Sequence, residues 1–230
     1  MAYISILEYT FPNDCVLHLM VKTTFIFNAL YFTLPHLSSV IADMVKLQRL
    51  TGMRPGEVCI LRPCDIERTD DLWFYRPESH KTEHHGRERV VTIGPIGQRL
   101  LTTYLLRSYE DFCFSPRDHE RSRNVARREA RKSPMTPSQR SRKPKLNRNR
   151  APGEHYTSNS YRRAIQRACR NAGLSVWKPN QIRHTVATEI RQRFGLEAAQ
   201  VTLGHAEANV TQVYAERDGE LAATVAREIG

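Results

Sequence analysis

Residues 38–63 read SSVIADMVKLQRLTGMRPGEVCILRP and spell out a helix, a turn and a second short helix. Ser38 or Ser39 is positioned to cap a helix whose apolar face carries Val40, Ile41, Met44 and Leu47, and Gly52 closes it. Pro55 then stands where a first helical turn tolerates proline, and Val58 and Leu61 continue a short helix that Pro63 stops. The turn between them, TGMRPGE, places Arg54 at the mouth of that second helix, with Glu57 three residues on and on the same face.

Outward from this stretch, Leu72–Arg76 and Glu88–Ile93 are strand-like, and the polar residues between them, including Gly86, form the tip of a hairpin. Pro95 opens another helix through Leu100, Leu101, Tyr104 and Leu105. After a long basic interval, Ser158 or Asn159 caps a helix with Tyr161, Ile165, Ala168 and Ala172 on one face, ended by Gly173. Pro179 opens the next, to about Phe194; a shorter one ends near Leu203 and Gly204. Val210–Ala215 begins a further turn, and Asp218 caps a last helix with Leu221, Ala222, Val225 and Ile229 on one face. Trp73 and Trp177 are expected in the core. The expected class is mainly α with one small antiparallel β-hairpin.

The chain has 230 residues, 40% hydrophobic and 26% charged, with a formal net charge of +11. Those fractions suit a buried core, while the charge favours a polyanion, nucleic acid before an acidic membrane surface. Much of the excess sits in residues 115–150, with thirteen Lys or Arg against three acids and four prolines. That composition is expected to leave a disordered basic insertion whose side chains grip phosphates. The five cysteines, Cys15, Cys59, Cys64, Cys113 and Cys169, form no C-x-x-C pair. An odd, scattered set argues against a disulfide framework or a zinc site and for reduced thiols in a cytoplasmic protein. His80, His84 and His85 crowd the hairpin without carboxylate or thiol partners, which makes a poor metal site.

Residues 16–34, VLHLMVKTTFIFNALYFTL, are strongly apolar but carry His18 and Lys22. They match neither a signal peptide, whose basic residues precede the apolar run, nor a spanning helix of about 20 almost uncharged residues. Residues 1–36 are therefore expected to be an atypical apolar segment, and 37–230 the main domain.

Four segments far apart in sequence supply what phosphodiester chemistry requires. TGMRPGE carries Arg54; HKTEHHGRERV carries Lys81 on the hairpin; PNQIRHT carries Asn180 and Arg183; and LGH, followed nine residues later by the tyrosine of VTQVYAE, carries His205 and Tyr214. Two guanidiniums each donate two hydrogen bonds to non-bridging phosphate oxygens and stay charged at any relevant pH. An imidazole adds a donor where negative charge grows. A phenol with an ordinary pKa of about 10 attacks at neutral pH only with help from a base or a cationic surround.

In this order, T-G-x-R-x-x-E, a hairpin lysine, x-x-x-R-H-T, L-G-H and a final tyrosine, the chain resembles the catalytic domain of tyrosine recombinases of the phage integrase family, over about Leu37–Ala215. The resemblance implies the DNA breaking-rejoining fold, with Tyr214 as nucleophile, Arg54, Arg183 and His205 around the phosphate, and Lys81 as general acid toward the 5′-oxygen. It implies a 3′-phosphotyrosine intermediate, double-stranded DNA as partner, a tetramer assembled on DNA, a mobile element as the setting, and no cofactor or metal. The residue three before the second arginine is usually histidine in this family; Asn180 stands there, and an amide cannot accept the phenolic proton. Residues 1–36 are too short and apolar for the helical core-binding domain that usually precedes the catalytic one, so that domain is expected to be absent. Two alternatives stand beside the leading one: a catalytically impaired, DNA-binding remnant of an integrase, supported by Asn180, and a type IB topoisomerase, against which the close spacing of L-G-H and tyrosine argues. His184 is expected to be structural.

Overall fold

A computed structural model describes residues 28–79, 89–142 and 151–204. Its centre is helix α1, Ser39–Thr51. The Ser38 side chain accepts a hydrogen bond from the Ile41 amide at 3.5 Å, and Gly52, at φ +65°, ends the helix in the left-handed region that glycine adopts at least cost. Met44, Val45 and Leu47 are fully buried. Burial spreads around most of α1 because elements pack on it from several sides: α2 (Pro55–Cys59), strand β3 (Val91–Ile93), α3 (Pro95–Leu101), α4 (Pro116–Glu129), α5 (Ser158–Asn171) and α6 (Pro179–Leu203) all touch it.

One sheet of three short antiparallel strands lies beside α1, in the order β1 (Ile66–Arg68), β2 (Trp73–Tyr75), β3. Tyr75 pairs with Ile66 on one side and Val91 on the other. The second and third strands are those expected from the pattern. The first, three residues long, carried no alternation long enough to read. The tip of the hairpin, with Lys81, lies outside the described residues.

The helices keep their sequence signals with small shifts. The cap of α5 is Thr157, whose Oγ1 accepts from the Ser160 amide at 3.1 Å, one residue ahead of the expected Ser158. The helix opened by Pro179 and the shorter one after it run nearly continuously, meeting at Gly195, whose backbone (φ 87°, ψ 176°) is not helical.

Two expectations meet local findings. Within residues 115–142, the described part of the basic interval, Pro116–Glu129 is a helix and Pro137–Arg140 a further helical turn. The composition there denies the segment a core of its own, and none of the α4 residues is buried. A helix needs no core of its own, however, where one side lies on another element, as α4 lies on α1. Ser115 caps α4, accepting from the Arg117 amide at 3.3 Å. Arg107 ties it to the body through Asp118 at 3.2 Å, and the fully buried Phe114 pins the preceding loop. The boundary expected at residues 36 and 37 also falls inside the packed body. Residues 28–33 are helical, Ala29 and Leu30 lie in the core, and Thr33 Oγ1 accepts from the indole nitrogen of buried Trp177 at 3.1 Å. Trp73, by contrast, is only half-buried. Among the described residues no helix is long and apolar enough to cross a membrane.

Candidate active site

Gly52 fixes where the loop carrying Arg54 can lie. A Cβ at this position would stand 2.9 Å from Leu203 Cδ2 and 3.1 Å from Val186 Cγ1, so α6 runs directly against the glycine. Positive φ and this close approach both call for glycine. The loop that follows is held from beneath by buried Gln48. Its Nε2 donates to the Met53 carbonyl at 3.1 Å and to the Pro179 carbonyl at 3.2 Å, while its Oε1 accepts from the Tyr161 hydroxyl at 3.1 Å. One amide thus joins the Arg54 loop to the start of α6. A polar residue on a wholly packed face of α1 was the available signal for Gln48, and it was not read.

Arg54 is the residue ahead of α2, with its side chain 19% exposed. Its backbone amide donates to Glu57 Oε2 at 2.7 Å and its Nη1 to Glu57 Oε1 at 2.8 Å, so Glu57 orients both the backbone and the guanidinium of Arg54. Glu57 is 2% exposed. Burial pushes its carboxyl up, but the charge of Arg89 and the hydrogen bonds and charge of Arg54 outweigh that, and its pKa ends below the ordinary 4.5.

Arg89, which the sequence reading passed over, is 4% exposed. Its Nε lies 3.6 Å from Glu57 Oε1, and its Nη1 donates to the carbonyls of Val90 at 3.1 Å and Thr202 at 3.2 Å. Burial lowers its pKa, partly offset by Glu57, with the Arg54 charge lowering it further. Positions 89, 91 and 93 share one side of an extended chain, and Val91 and Ile93 are buried on that side. A charge in phase with two core residues was therefore legible as an inward-facing cation.

Arg183 is also buried, at 3%. Its Nη1 donates to the Gly52 carbonyl at 2.7 Å and its Nη2 to the Leu203 carbonyl at 2.6 Å. The first tie ends two residues before Arg54 and the second two residues before His205. Thus the structure brings Arg54 and Arg183 to the same loop. Asn180, on the same helix as Arg183, is exposed, and its Nδ2 lies 2.9 Å from Nε2 of His184 one turn on. Asn180 and Arg183 lie three apart on α6, and the amide of Asn180 pairs with its i,i+4 neighbour. An amide nitrogen only donates, so the imidazole accepts at Nε2 and stays neutral. Burial, and secondarily the Arg183 charge, lower the His184 pKa in the same sense. Lys81, His205 and Tyr214 lie outside the described residues.

Tyr75 and Tyr161 are fully buried and their phenols are pushed well up by burial. Burial also raises Tyr156, to about 12, with Asp118 and Cys59 adding to it. These phenols are poor nucleophiles. Cys59, Cys64, Cys113 and Cys169 are free thiols, and burial pushes Cys59 and Cys113 up to about 12. Among the described residues no three His, Cys, Asp or Glu gather as a metal site.

The model of the phage integrase family matches residues 28–220, most of the chain. This chain belongs to the phage integrase family. The matched range includes positions 81, 205 and 214 as well as the site just described. Solved structures similar in fold agree. XerA recombinase is 19% identical, with a TM-score of 0.53, covering 87% of this chain and 63% of that one. XerH site-specific recombinase bound to difH substrate, a pre-cleavage complex, is 20% identical, TM-score 0.52, covering 86% and 52%. A lambda integrase dimer bound to a COC′ core site is 17% identical, TM-score 0.52, covering 84% and 47%. The chain therefore spans between about half and two thirds of the length of these neighbours. No curated protein matches it in sequence. The mainly helical body with a small antiparallel sheet is the catalytic-domain architecture of the family.

Proposed function

We propose that this phage integrase family chain is the catalytic domain of a site-specific DNA recombinase or integrase, acting on double-stranded DNA through a 3′-phosphotyrosine on Tyr214. The observation that carries the reading is the tie from Arg183 to the carbonyls of Gly52 and Leu203. One buried guanidinium sits between the loop that presents Arg54 and the helix end that leads to His205. Motifs separated by about half the chain are drawn to one place.

In the mechanism, the Tyr214 oxygen attacks the phosphorus of the scissile diester. Arg54 and Arg183 neutralise the non-bridging oxygens as charge grows there, and His205 adds a donor. The bond to the 5′-oxygen breaks as Lys81 delivers a proton to it. The product is a phosphotyrosine diester and a free 5′-hydroxyl, and attack by a strand's 5′-hydroxyl reverses the step. The bond energy stays in the covalent intermediate, so rejoining needs no nucleotide. Strand exchange between two duplexes calls for four active sites, hence a tetramer on DNA. Asn180, standing where the family's histidine stands, accepts no proton, so the phenol is activated by its cationic surround alone and turnover is reduced.

A suicide duplex, whose short downstream fragment bearing the free 5′-hydroxyl diffuses away, tests the reading. A covalent protein–DNA adduct is expected with the native chain and none with Tyr214→Phe. A native chain that binds the duplex without forming adduct would instead favour the impaired DNA-binding remnant, for which the exposed Asn180 speaks.

A further inference from the structure

Arg89 is a buried cation whose partners are incomplete. Its Nε and Nη2 are out of solvent and have no hydrogen-bond partner among the described residues. Glu57, its ion-pair partner among the described residues, already accepts from Arg54 twice, and Arg89 reaches it only at 3.6 Å. Around one buried carboxylate, two guanidiniums leave a local charge of one positive unit. Without Arg89, the carboxylate would cancel Arg54, the residue that meets the phosphate.

The other end of the side chain bears on the helix end before His205. Nη1 donates to the Thr202 carbonyl. A Cβ on Gly204 would lie 2.6 Å from that nitrogen and 3.3 Å from the guanidinium carbon. Gly204 is the αL residue that ends α6, at φ +62°. Arg89 therefore packs against the backbone that leads to the next residue, and a Cβ there would displace it. Arg183 holds the neighbouring Leu203 carbonyl. The two arginines clamp consecutive carbonyls at the same helix end.

We infer that Arg89 is a positioning residue for strand cleavage, sharing Glu57 so that Arg54 stays cationic toward the phosphate and fixing the α6 end that presents His205. This rests on the function proposed above. It separates a structural buried pair from a functional one, because the two make different predictions when both charges are removed together. A buried pair replaced at both ends keeps its fold. If Arg89 acts only on stability, rate and melting temperature move in parallel; if it sets the net charge around Arg54, the rate follows that local charge.

The test is single-turnover adduct formation at saturating suicide duplex, with melting temperature measured alongside, for the native chain, Arg89→Lys, Arg89→Met, Glu57→Gln and the double variant Glu57→Gln/Arg89→Met. Arg89→Met is expected to slow adduct formation about 100-fold, the scale of a misplaced catalytic group. The double variant restores the single positive charge of Arg54 and is expected to recover at least about ten-fold of that loss. Arg89→Lys keeps the charge but not the fork and falls between. If Arg89→Met does not fold, the comparison of Arg89→Lys, Glu57→Gln and the double variant carries the test. A double variant no faster than Arg89→Met or slower than Glu57→Gln by the full Arg89 loss, or a folded Arg89→Met at the native rate, overturns the inference and leaves the proposed function standing. A native chain with no adduct overturns both.

Discussion

Gly52, Glu57 and Asn180 each make a claim that one substitution checks. An alanine at Gly52 meets positive φ, which costs an L-residue roughly 1–2 kcal/mol, and a Cβ 2.9 Å from Leu203 and 3.1 Å from Val186. Both neighbours belong to α6, so the strain pushes that helix, with Arg183, away from the Arg54 loop. Gly52→Ala is expected to cost about 2–3 kcal/mol, a fall in Tm of roughly 4–12 °C for a domain of this size. Cleavage should fall by more than stability predicts, and thermal melts run beside the adduct assay show whether it does. Glu57 has a folded pKa held below 4.5 chiefly by Arg89 and Arg54 against its burial. A depressed carboxyl contributes stability that is whole above the unfolded pKa and is lost as pH falls through the folded one. Denaturant melts from pH 7 downward should therefore show the native chain losing stability below about pH 4.5. Glu57→Gln should begin less stable and show a shallower loss there. Equal slopes would remove Glu57 from the account. Asn180→His supplies a proton acceptor at the family's histidine position. It is expected to speed adduct formation by roughly 100-fold, the scale of general-base help; an unchanged rate means that the phenol needs no such acceptor.

At the scale of elements, α4 is the least expected piece and the most exposed. Arg123, Arg127 and Arg128 lie on it in solvent. His119 shows how crowded with cations this surface is: its pKa is lowered by burial first and then by Arg123 and by Arg167 from α5. Two helices therefore present like charges to one another, an arrangement relieved by an anion laid across them. If that anion is the duplex backbone, replacing Arg123, Arg127 and Arg128 by Gln should weaken binding at all sequences alike. The slope of log K against log salt should flatten by about 2–3 units, at about 0.9 per phosphate contact. An unchanged slope would put DNA elsewhere on the protein. The elements also show what a sequence exposes. Ser38 and Gly52 bracket α1 by local rules, as Pro55 and Pro179 open their helices, and all four were legible. Strand β1 was not, because a three-residue strand has room for a single alternation. The helix at Pro116–Glu129 was not legible either, because a composition that forbids a core of its own does not forbid a helix lying on α1.

For the whole molecule, the motifs were visible as a series along the chain, but their meeting point was not. The tie from Arg183 to Gly52 spans 131 residues, and Gln48 reaches Pro179 and Tyr161 across similar separations. Such contacts leave no local period or spacing behind them. What they leave is an oddity, such as a glutamine on a fully packed face, an arginine in phase with Val91 and Ile93, or a glycine where α6 presses. Those oddities mark the scaffold of the site: α1 carries the loop of Arg54, β3 brings Arg89, and α6 brings Arg183. Membership of the phage integrase family agrees with that scaffold. The central claim is that it delivers a phosphate to one phenol. Its most direct test is to digest the covalent product from a suicide duplex and identify by mass spectrometry the peptide that retains nucleotide. The account predicts a single phosphodiester on Tyr214, joined to the 3′ end left at the break. A linkage on any other residue, or a native chain that cuts without becoming attached, would contradict it.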